Sequence, residues 1–328
     1  MKNLDLLVTL WPTFKHFERF ANDSRLSGIR MNGAMIHLNE LANDLKTAKK
    51  SGGQVPLFYD VKGRQLRVSE VRADKENLEL RLNRPISVKT PTPVLFKAGE
   101  DSAILEKVVD GNYLIFKGGP HYMVYEGESL HIRDKSLKIS GPILPEIEIK
   151  KTLIAKKEGI DKFFLSYVED QRDIDNFREY VGDSQIVAKI ENKKGLEYVS
   201  RQFKKKDNLS LMAACGDLFV EVDRPHHILD ALKLIIKKDP EGYAGSRILL
   251  SLVNDSVPSF ADLGHLGWLY EIGYRKLMLC DELCLKEELL GRAVNVFESF
   301  KESYVREEKP RKYGLEWLYG LKDSLCWN

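Results

Sequence analysis

Residues 185–217 read QIVAKIENKKGLEYVSRQFKKKDNLSLMAACGD, and this stretch holds one complete unit of the fold. A short apolar run, Gln185 to Glu191, precedes an amphipathic segment from Lys194 to Lys204, and a second apolar run follows from Leu209 to Ala214. Apolar runs of this length alternating with helical periodicity predict parallel strands joined by crossover helices. Side chains alternate between the two faces of a strand, so Lys189 and Glu191 project together from the end of the first run. Gly216 and Asp217 stand just past the end of the second. One cation and two carboxylates are therefore expected where two neighbouring strands end.

The same alternation extends in both directions. Further strand-like runs are Asp5 to Leu10, Gly28 to Asn32, Val55 to Asp60, Lys162 to Val168, Arg247 to Val253 and Lys276 to Leu279. Helical segments follow most of them, at Met35 to Lys50, Pro145 to Lys157, Asp173 to Val181, Pro225 to Lys238, Ser259 to Gly273 and Leu285 to Tyr304. After the third run, Val68 to about Ser140 shows period-two alternation with turn signals at Asp110-Gly111 and Gly118-Gly119. This reads as a small all-β lid inserted into a barrel loop. Eight strands with one insertion favour an α/β fold of the (β/α)8 TIM-barrel type over an open sheet, with the site at the carboxyl ends of the strands. The expected plan is barrel at 1–67, lid at 68–140, barrel at 141–304 and a C-terminal tail at 305–328, the tail being a docking helix or a partner segment.

Lys and Arg number 51 against 49 Asp and Glu in 328 residues, a net charge of +2 that lacks the basic excess of a nucleic-acid binder. Apolar runs fall well short of the roughly 20 residues that cross a bilayer, and Asp5 interrupts the apolar start, so no membrane partner and a cytoplasmic location are expected. Four cysteines are too few and too irregular for a disulfide framework. Cys215 reads as a small buried filler, and His226 and His227 as caps or surface groups. A homo-oligomer is left open.

The segments AKIEN at Ala188 to Asn192 and ACGDLFVEV at Ala214 to Val222 carry the chemistry. Mg²⁺ takes one or two protein carboxylates and fills its other positions with substrate oxygens and water, which suits Glu191 and Asp217. Both segments resemble the pyruvate kinase family, whose motifs read SKIEN and ARGDLGVE. TLWP at Thr9 to Pro12 is similar to the family's TIGP, and the IRMNGAM segment at Ile29 to Met35 to its RxNFSHG. DVKGRQLR at Asp60 to Arg67 is similar to DTKGPEIR, immediately before the inserted lid in both. LSYV at Leu165 to Val168 resembles SFV, PSFAD resembles PTRAE, and LCDEL at Leu279 to Leu283 resembles LSGET. The matches run in order over roughly residues 9 to 284, far more specific jointly than singly.

The resemblance implies that Glu191 and Asp217 bind Mg²⁺ or Mn²⁺ and that Lys189 stabilises the transferring phosphoryl group and the enolate. Arg30 would clamp the substrate phosphate, and Gly216, beside Asp217, would offer its backbone N–H to the substrate carboxylate. Asn32 and Asp60 would survive as potassium ligands, while Asn32, Lys62 and Arg67 would face the nucleotide, ADP or ATP. Ser251 would stand near the enolate carbon. The implied function is a Mg-dependent phosphotransferase moving a phosphoryl group between a phosphoenolpyruvate-type substrate and a nucleoside diphosphate.

Departures from the family pattern define the alternatives. Ala34 and Val61 replace hydroxyl potassium ligands, which puts a potassium site of the usual kind in doubt. Met35, Arg64, Gln65, Cys215 and Ser140 replace a histidine, a proline, a glutamate, an arginine and a lysine. The family's C-terminal regulatory domain has no counterpart here, so effector control through it is not expected. Most losses fall on nucleotide and cation handling. They leave as rivals a metal-dependent lyase, aldolase or decarboxylase acting through a pyruvate enolate, and a silent barrel.

Overall fold

Period-two alternation inside a ring of strands produces layers, and one layer of this barrel is apolar. Leu7, Phe58, Phe164, Val187, Met212, Tyr243 and Met278 form one buried cluster, each from a different strand. The computed structural model describes residues 4–51, 53–73 and 77–305. Its barrel strands are β1 (Asp5–Thr9), β2 (Leu26–Asn32) and β3 (Leu57–Val61), then, beyond the lid, β12 (Lys162–Leu165), β13 (Gln185–Ile190), β14 (Leu209–Ala214), β15 (Tyr243–Gly245) and β16 (Lys276–Met278). They close in the order β1-β16-β15-β14-β13-β12-β3-β2. The remaining strand, β2, contributes Gly28 to the plug, because a Cβ there would lie 2.8 Å from Phe58 Cε2 and 3.0 Å from Leu7 Cδ2. Two residues beyond the plug the same faces carry Thr9, Arg30, Asp60, Ser166 and Lys189, so a polar layer sits directly on an apolar one.

Helices cover the outside through apolar stripes at helical spacing. Helices α1 (Phe17–Ala21) to α10 (Glu287–Phe300) include α4 (Gln171–Val181), which buries Ile174, Phe177 and Val181, while α10 buries Leu290, Ala293, Val294 and Phe297. The N-terminus of α4 is fixed by a capping box in which Asp170 and Asp173 each accept from the other's backbone N–H. Among the described residues no helix is long and apolar enough to cross a membrane.

Between β3 and α3 (Glu146–Lys157) lie eight antiparallel strands: β4 (Val68–Ala73), β5 (Asn77–Leu82), β6 (Ile86–Ser87), β7 (Thr92–Phe96), β8 (Asp101–Val109), β9 (Tyr113–Lys117), β10 (Leu130–Ile132) and β11 (Lys138–Ile139). Six form a sheet in the order β10-β7-β8-β9-β5-β4, and β11 pairs with β6. Alternating residues such as Leu78, Leu80, Leu82, Leu114 and Phe116 give this unit its own core. It leans on the barrel at α6 (Cys215–Glu221) and beyond, with Arg133 Nη2 donating to Val222 O at 2.8 Å and Arg247 Nη2 to Ala98 O at 3.0 Å.

One strand departs from the sequence-based expectation. The seventh barrel strand is Tyr243–Gly245, ahead of the expected Arg247 to Val253, which contains no strand and ends in a 3-10 turn at Leu250–Val253. Ser246, Arg247 and Leu249 hold left-handed φ angles of 69°, 56° and 53°, which no strand accommodates. The apolar Ile248 and Leu249 are buried beneath the loop. The expected tail at 305–328 lies, from 306 onward, outside the described residues.

The plug yields a stability test. Gly28→Ala overpacks the barrel floor and is expected to lower unfolding free energy by about 1–3 kcal/mol. Phe58→Leu in the same chain should recover part of the loss, read by urea denaturation with unchanged m-value.

Candidate active site

Asp60 is fully buried at the end of β3 and organises the polar layer. Its Oδ2 accepts from Arg30 Nε at 2.7 Å and Lys62 Nζ at 2.7 Å, with Arg30 Nη2 at 2.6 Å and Lys189 Nζ at 3.6 Å. Its Oδ1 accepts from Ser166 Oγ at 3.2 Å. Burial alone would raise the Asp60 pKa, but Lys189, Lys62 and Arg30 outweigh it and hold the carboxyl well below the usual carboxylate range. Burial pulls the Lys62 ammonium down from its ordinary value against the attraction of Asp60, with Lys189 and Arg30 adding repulsion.

Lys189 and Glu191 do share a strand face. The Lys189 ammonium lies 2.9 Å from Glu191 Oε1 and donates to Ser166 Oγ at 3.0 Å. Burial disfavours its charge, and Asp60 and Glu191 more than restore it, so its pKa is raised. Glu191 Oε2 accepts the backbone N–H of Tyr167, a residue held at φ 54°, while Oε1 faces the Lys189 ammonium. Burial pushes the Glu191 carboxyl up, Lys189 pulls it back and Asp217 adds repulsion. Asp217 opens the first turn of α6, where Gln65 Nε2 donates to its Oδ1 at 3.5 Å.

The lid contributes a group that sequence reading did not single out. His131 of β10 is buried with Nε2 3.3 Å from Asp217 Oδ1 and Nδ1 2.8 Å from Glu221 Oε1. Burial works against its charge, but hydrogen bonds to Asp217 and Glu221 raise its pKa to about 10, making it a cation that ties lid to barrel. The same cation, with Lys189 and Arg67, overcomes burial to lower the Asp217 pKa.

The structure brings together Lys189, Glu191, Asp60, Lys62 and Arg30, with Asn32 joined to Arg30 through Asp281. Several expected placements differ. Lys62 is buried against Asp60, and its backbone N–H donates to Glu148 Oε2 at 2.9 Å, so its side chain does not extend toward a nucleotide. Arg67 donates to Gln65 Oε1 at 2.9 Å from Nε and to the Gly127 carbonyl, folding its guanidinium back onto the lid. Asn32 Nδ2 donates to Asp281 Oδ1 at 3.1 Å, and both oxygens of Asp60 are engaged, which leaves these two poorly disposed toward a potassium ion.

Ser251 is not at a strand end. It lies in the 3-10 turn, where its hydroxyl accepts the Ser259 backbone N–H at 2.8 Å and fixes the start of α8 (Phe260–Ile272). The serine that follows β15 directly is Ser246, whose Oγ lies 2.7 Å from where a Cβ on Gly216 would stand, so a larger residue there would displace the Ser246 hydroxyl. Cys215 is buried, and burial pushes its thiol up to about 12, as a filler rather than a nucleophile requires. Among the described residues no group of three or more His, Cys, Asp and Glu is arranged to hold a metal, so Glu191 and Asp217 stand as a two-carboxylate set.

Comparison with known proteins agrees with this architecture. A family model described as pyruvate kinase, barrel domain, matches residues 127–249. The pyruvate kinase of Methanocaldococcus jannaschii is 24% identical over 301 residues, covering 86% of this chain and 65% of that protein. That of Thermoplasma acidophilum is 25% identical over 262 residues, covering 74% of this chain and 47% of its own. The chain thus spans less than two thirds of the length of either relative. The crystal structure of Cryptosporidium parvum pyruvate kinase superposes with a TM-score of 0.74 at 18% identity, over 89% of this chain and 69% of that one, a likeness of fold. In its closed barrel, its matched barrel segment and its relatives, this chain is similar to pyruvate kinases.

Proposed function

We propose that the barrel mouth is a metal-assisted phosphotransferase site acting on an enolpyruvate-type phosphate and a nucleoside diphosphate. The observation that carries this reading is the buried pair of the Lys189 ammonium and the Glu191 carboxylate at 2.9 Å, with the Asp217 carboxylate acting on the same group. Glu191 and Asp217 offer hard anionic oxygens of the type that Mg²⁺ or Mn²⁺ takes, and since Gln65 and His131 both approach Oδ1 of Asp217, Oδ2 is the atom left for it. The bound ion would act as a Lewis acid on the keto and phosphoryl oxygens.

The chain's own residues do the rest. Lys189 presents a fixed positive charge to the oxygen that becomes the enolate, and Ser166 and Asp60 hold that charge in place. The Gly216 backbone N–H, approached closely because no Cβ intervenes, binds the substrate carboxylate. In the forward direction the phosphorus bond to the enol oxygen breaks as the bond to the terminal oxygen of the diphosphate forms. The enolate left behind takes a solvent proton at its methylene carbon, giving pyruvate. Positioning and charge neutralisation carry such a transfer.

A second reading, enolate chemistry without a nucleotide, is favoured by one set of contacts. Lys62, Arg67 and Asn32 are turned to Asp60, Gln65 and Asp281, whereas Lys189, Glu191 and Gly216 are arranged for the keto acid.

Three measurements follow. Glu191→Gln and Asp217→Asn each remove an anionic ligand at nearly constant volume and are expected to weaken Mn²⁺ binding by about 100-fold or more without unfolding the protein. Unaltered Mn²⁺ affinity in both variants, by calorimetry or by electron paramagnetic resonance, would remove the metal assignment. Because Lys62 and Arg30 occupy Asp60, activity should differ by less than about twofold between potassium and sodium at equal ionic strength; strong saturable activation by potassium would show other ligands. Finally, wild-type protein with Mg²⁺ should exchange the methyl protons of pyruvate with D₂O, and Lys189→Met should lose that exchange. Equal background exchange in both, by proton NMR, would exclude either enolate reading.

A further inference from the structure

Asp281 follows the last barrel strand directly, as the first residue of α9 (Asp281–Cys284). Its Oδ2 accepts from Arg30 Nη1 at 2.9 Å and its Oδ1 from Asn32 Nδ2 at 3.1 Å. A carboxylate that takes one donor on each oxygen occupies the place of an incoming oxyanion. Arg30 turns its Nε and Nη2 inward to Asp60, so Nη1 is the edge it offers toward Asp281 and Thr9. Charge points the same way. Arg30, Lys62 and Lys189 against Asp60 and Glu191 leave one positive charge over, and Asp281 cancels it.

The two acids differ in their freedom. The Asp60 side chain is 0% exposed and locked by three cations, whereas the Asp281 side chain is 34% exposed. The LSGET motif that LCDEL resembles has glycine at the position of Asp281.

We infer that Asp281 is a built-in anion on the oxyanion-binding edge of Arg30 and Asn32, and that it sets the site's preference between phosphorylated and unphosphorylated three-carbon acids. The inference rests on the reading of Arg30 as the substrate clamp. A phosphoryl group engages Arg30 only by expelling Asp281, since two anions cannot share one guanidinium edge without strong repulsion at a buried site. A 2-oxo acid without phosphate, held at the Lys189 and Gly216 end, leaves Asp281 where it is. Asp281 thereby weakens binding of the phosphorylated acid and spares the other, a discrimination by repulsion rather than by added contact.

The test is calorimetry on the full chain with Mg²⁺ present, using phosphoenolpyruvate and pyruvate as separate probes. Wild type, Asp281→Asn, Asp281→Gly and Arg30→Gln are compared, with thermal melts to confirm folding; the asparagine is isosteric and the glycine is the residue of the family motif. Both Asp281 variants are expected to bind phosphoenolpyruvate about tenfold tighter or more, with pyruvate affinity changed by less than about twofold. Unchanged phosphoenolpyruvate affinity in both Asp281 variants, with Arg30→Gln still weakening it, overturns the role of Asp281 and leaves the clamp standing. Phosphoenolpyruvate affinity insensitive to Arg30→Gln, also in the Asp281→Gly background, overturns the clamp and the inference together.

Discussion

A carboxylate with no solvent exposure in the middle of a barrel is stable only as part of a neutralised cluster, and the architecture of the mouth depends on that constraint at Asp60. Desolvating a charge costs several kcal/mol even after relaxation, so each buried ion must meet counter-ions and donors at close range. Asp60 meets Arg30 and Lys62 within 2.7 Å, and Ser166 takes its second oxygen. These partners come from β2, β3 and the segment after β12, with Lys189 approaching from β13. The cluster therefore fixes the mutual register of four neighbouring strand ends. Its worth lies in geometry more than in stability, because a buried ion network is seldom more stabilising than apolar packing of the same volume.

The lid is tied into the same electrostatics. His131 reaches from β10 to Asp217 and Glu221, and Tyr167 links the two halves, its backbone N–H on Glu191 and its hydroxyl 3.3 Å from His131 Nδ1. Tyr167 holds a left-handed backbone conformation unusual for an aromatic residue, a cost tolerated where surrounding contacts over-determine the chain. The two candidate metal carboxylates are thus held by different devices. Glu191 meets the lid only through Tyr167, while Asp217 is contacted by the lid directly through His131.

What the sequence made legible is what short-range periodicity encodes. Lys189 and Glu191 are two residues apart on one strand, and the structure joins them at 2.9 Å. The same rule applied to Asp60 and Lys62 would have shown that they share a face, so that Lys62 turns inward to Asp60 rather than outward to a nucleotide. Ser246 was missed because the seventh strand was expected at Arg247 to Val253, and the left-handed conformations at Ser246, Arg247 and Leu249 that exclude a strand there leave no trace in composition. His131 and Asp281 act across 86 to 251 positions, through Asp217 and Arg30, and no local pattern announces such contacts. The signal for Asp281 was instead a departure from the resembled motif, a carboxylate where LSGET has glycine, and it gained meaning only once Arg30 was seen opposite.

The layering of the barrel explains why substitution at the mouth is cheap for the fold and consequential for chemistry. The plug of Leu7, Phe58, Phe164, Val187, Met212, Tyr243 and Met278 is complete two residues below the polar layer, so the barrel closes without help from the residues above it. Asp281 lies above both layers, on a four-residue helix after the last strand, where a new side chain displaces no core atom. Its effect is wholly electrostatic, because it adds one negative charge to a cluster that otherwise carries one positive charge in excess. An anion-receiving site can in this way become a neutral one through a single residue while every strand, helix and buried contact beneath it stays as it was.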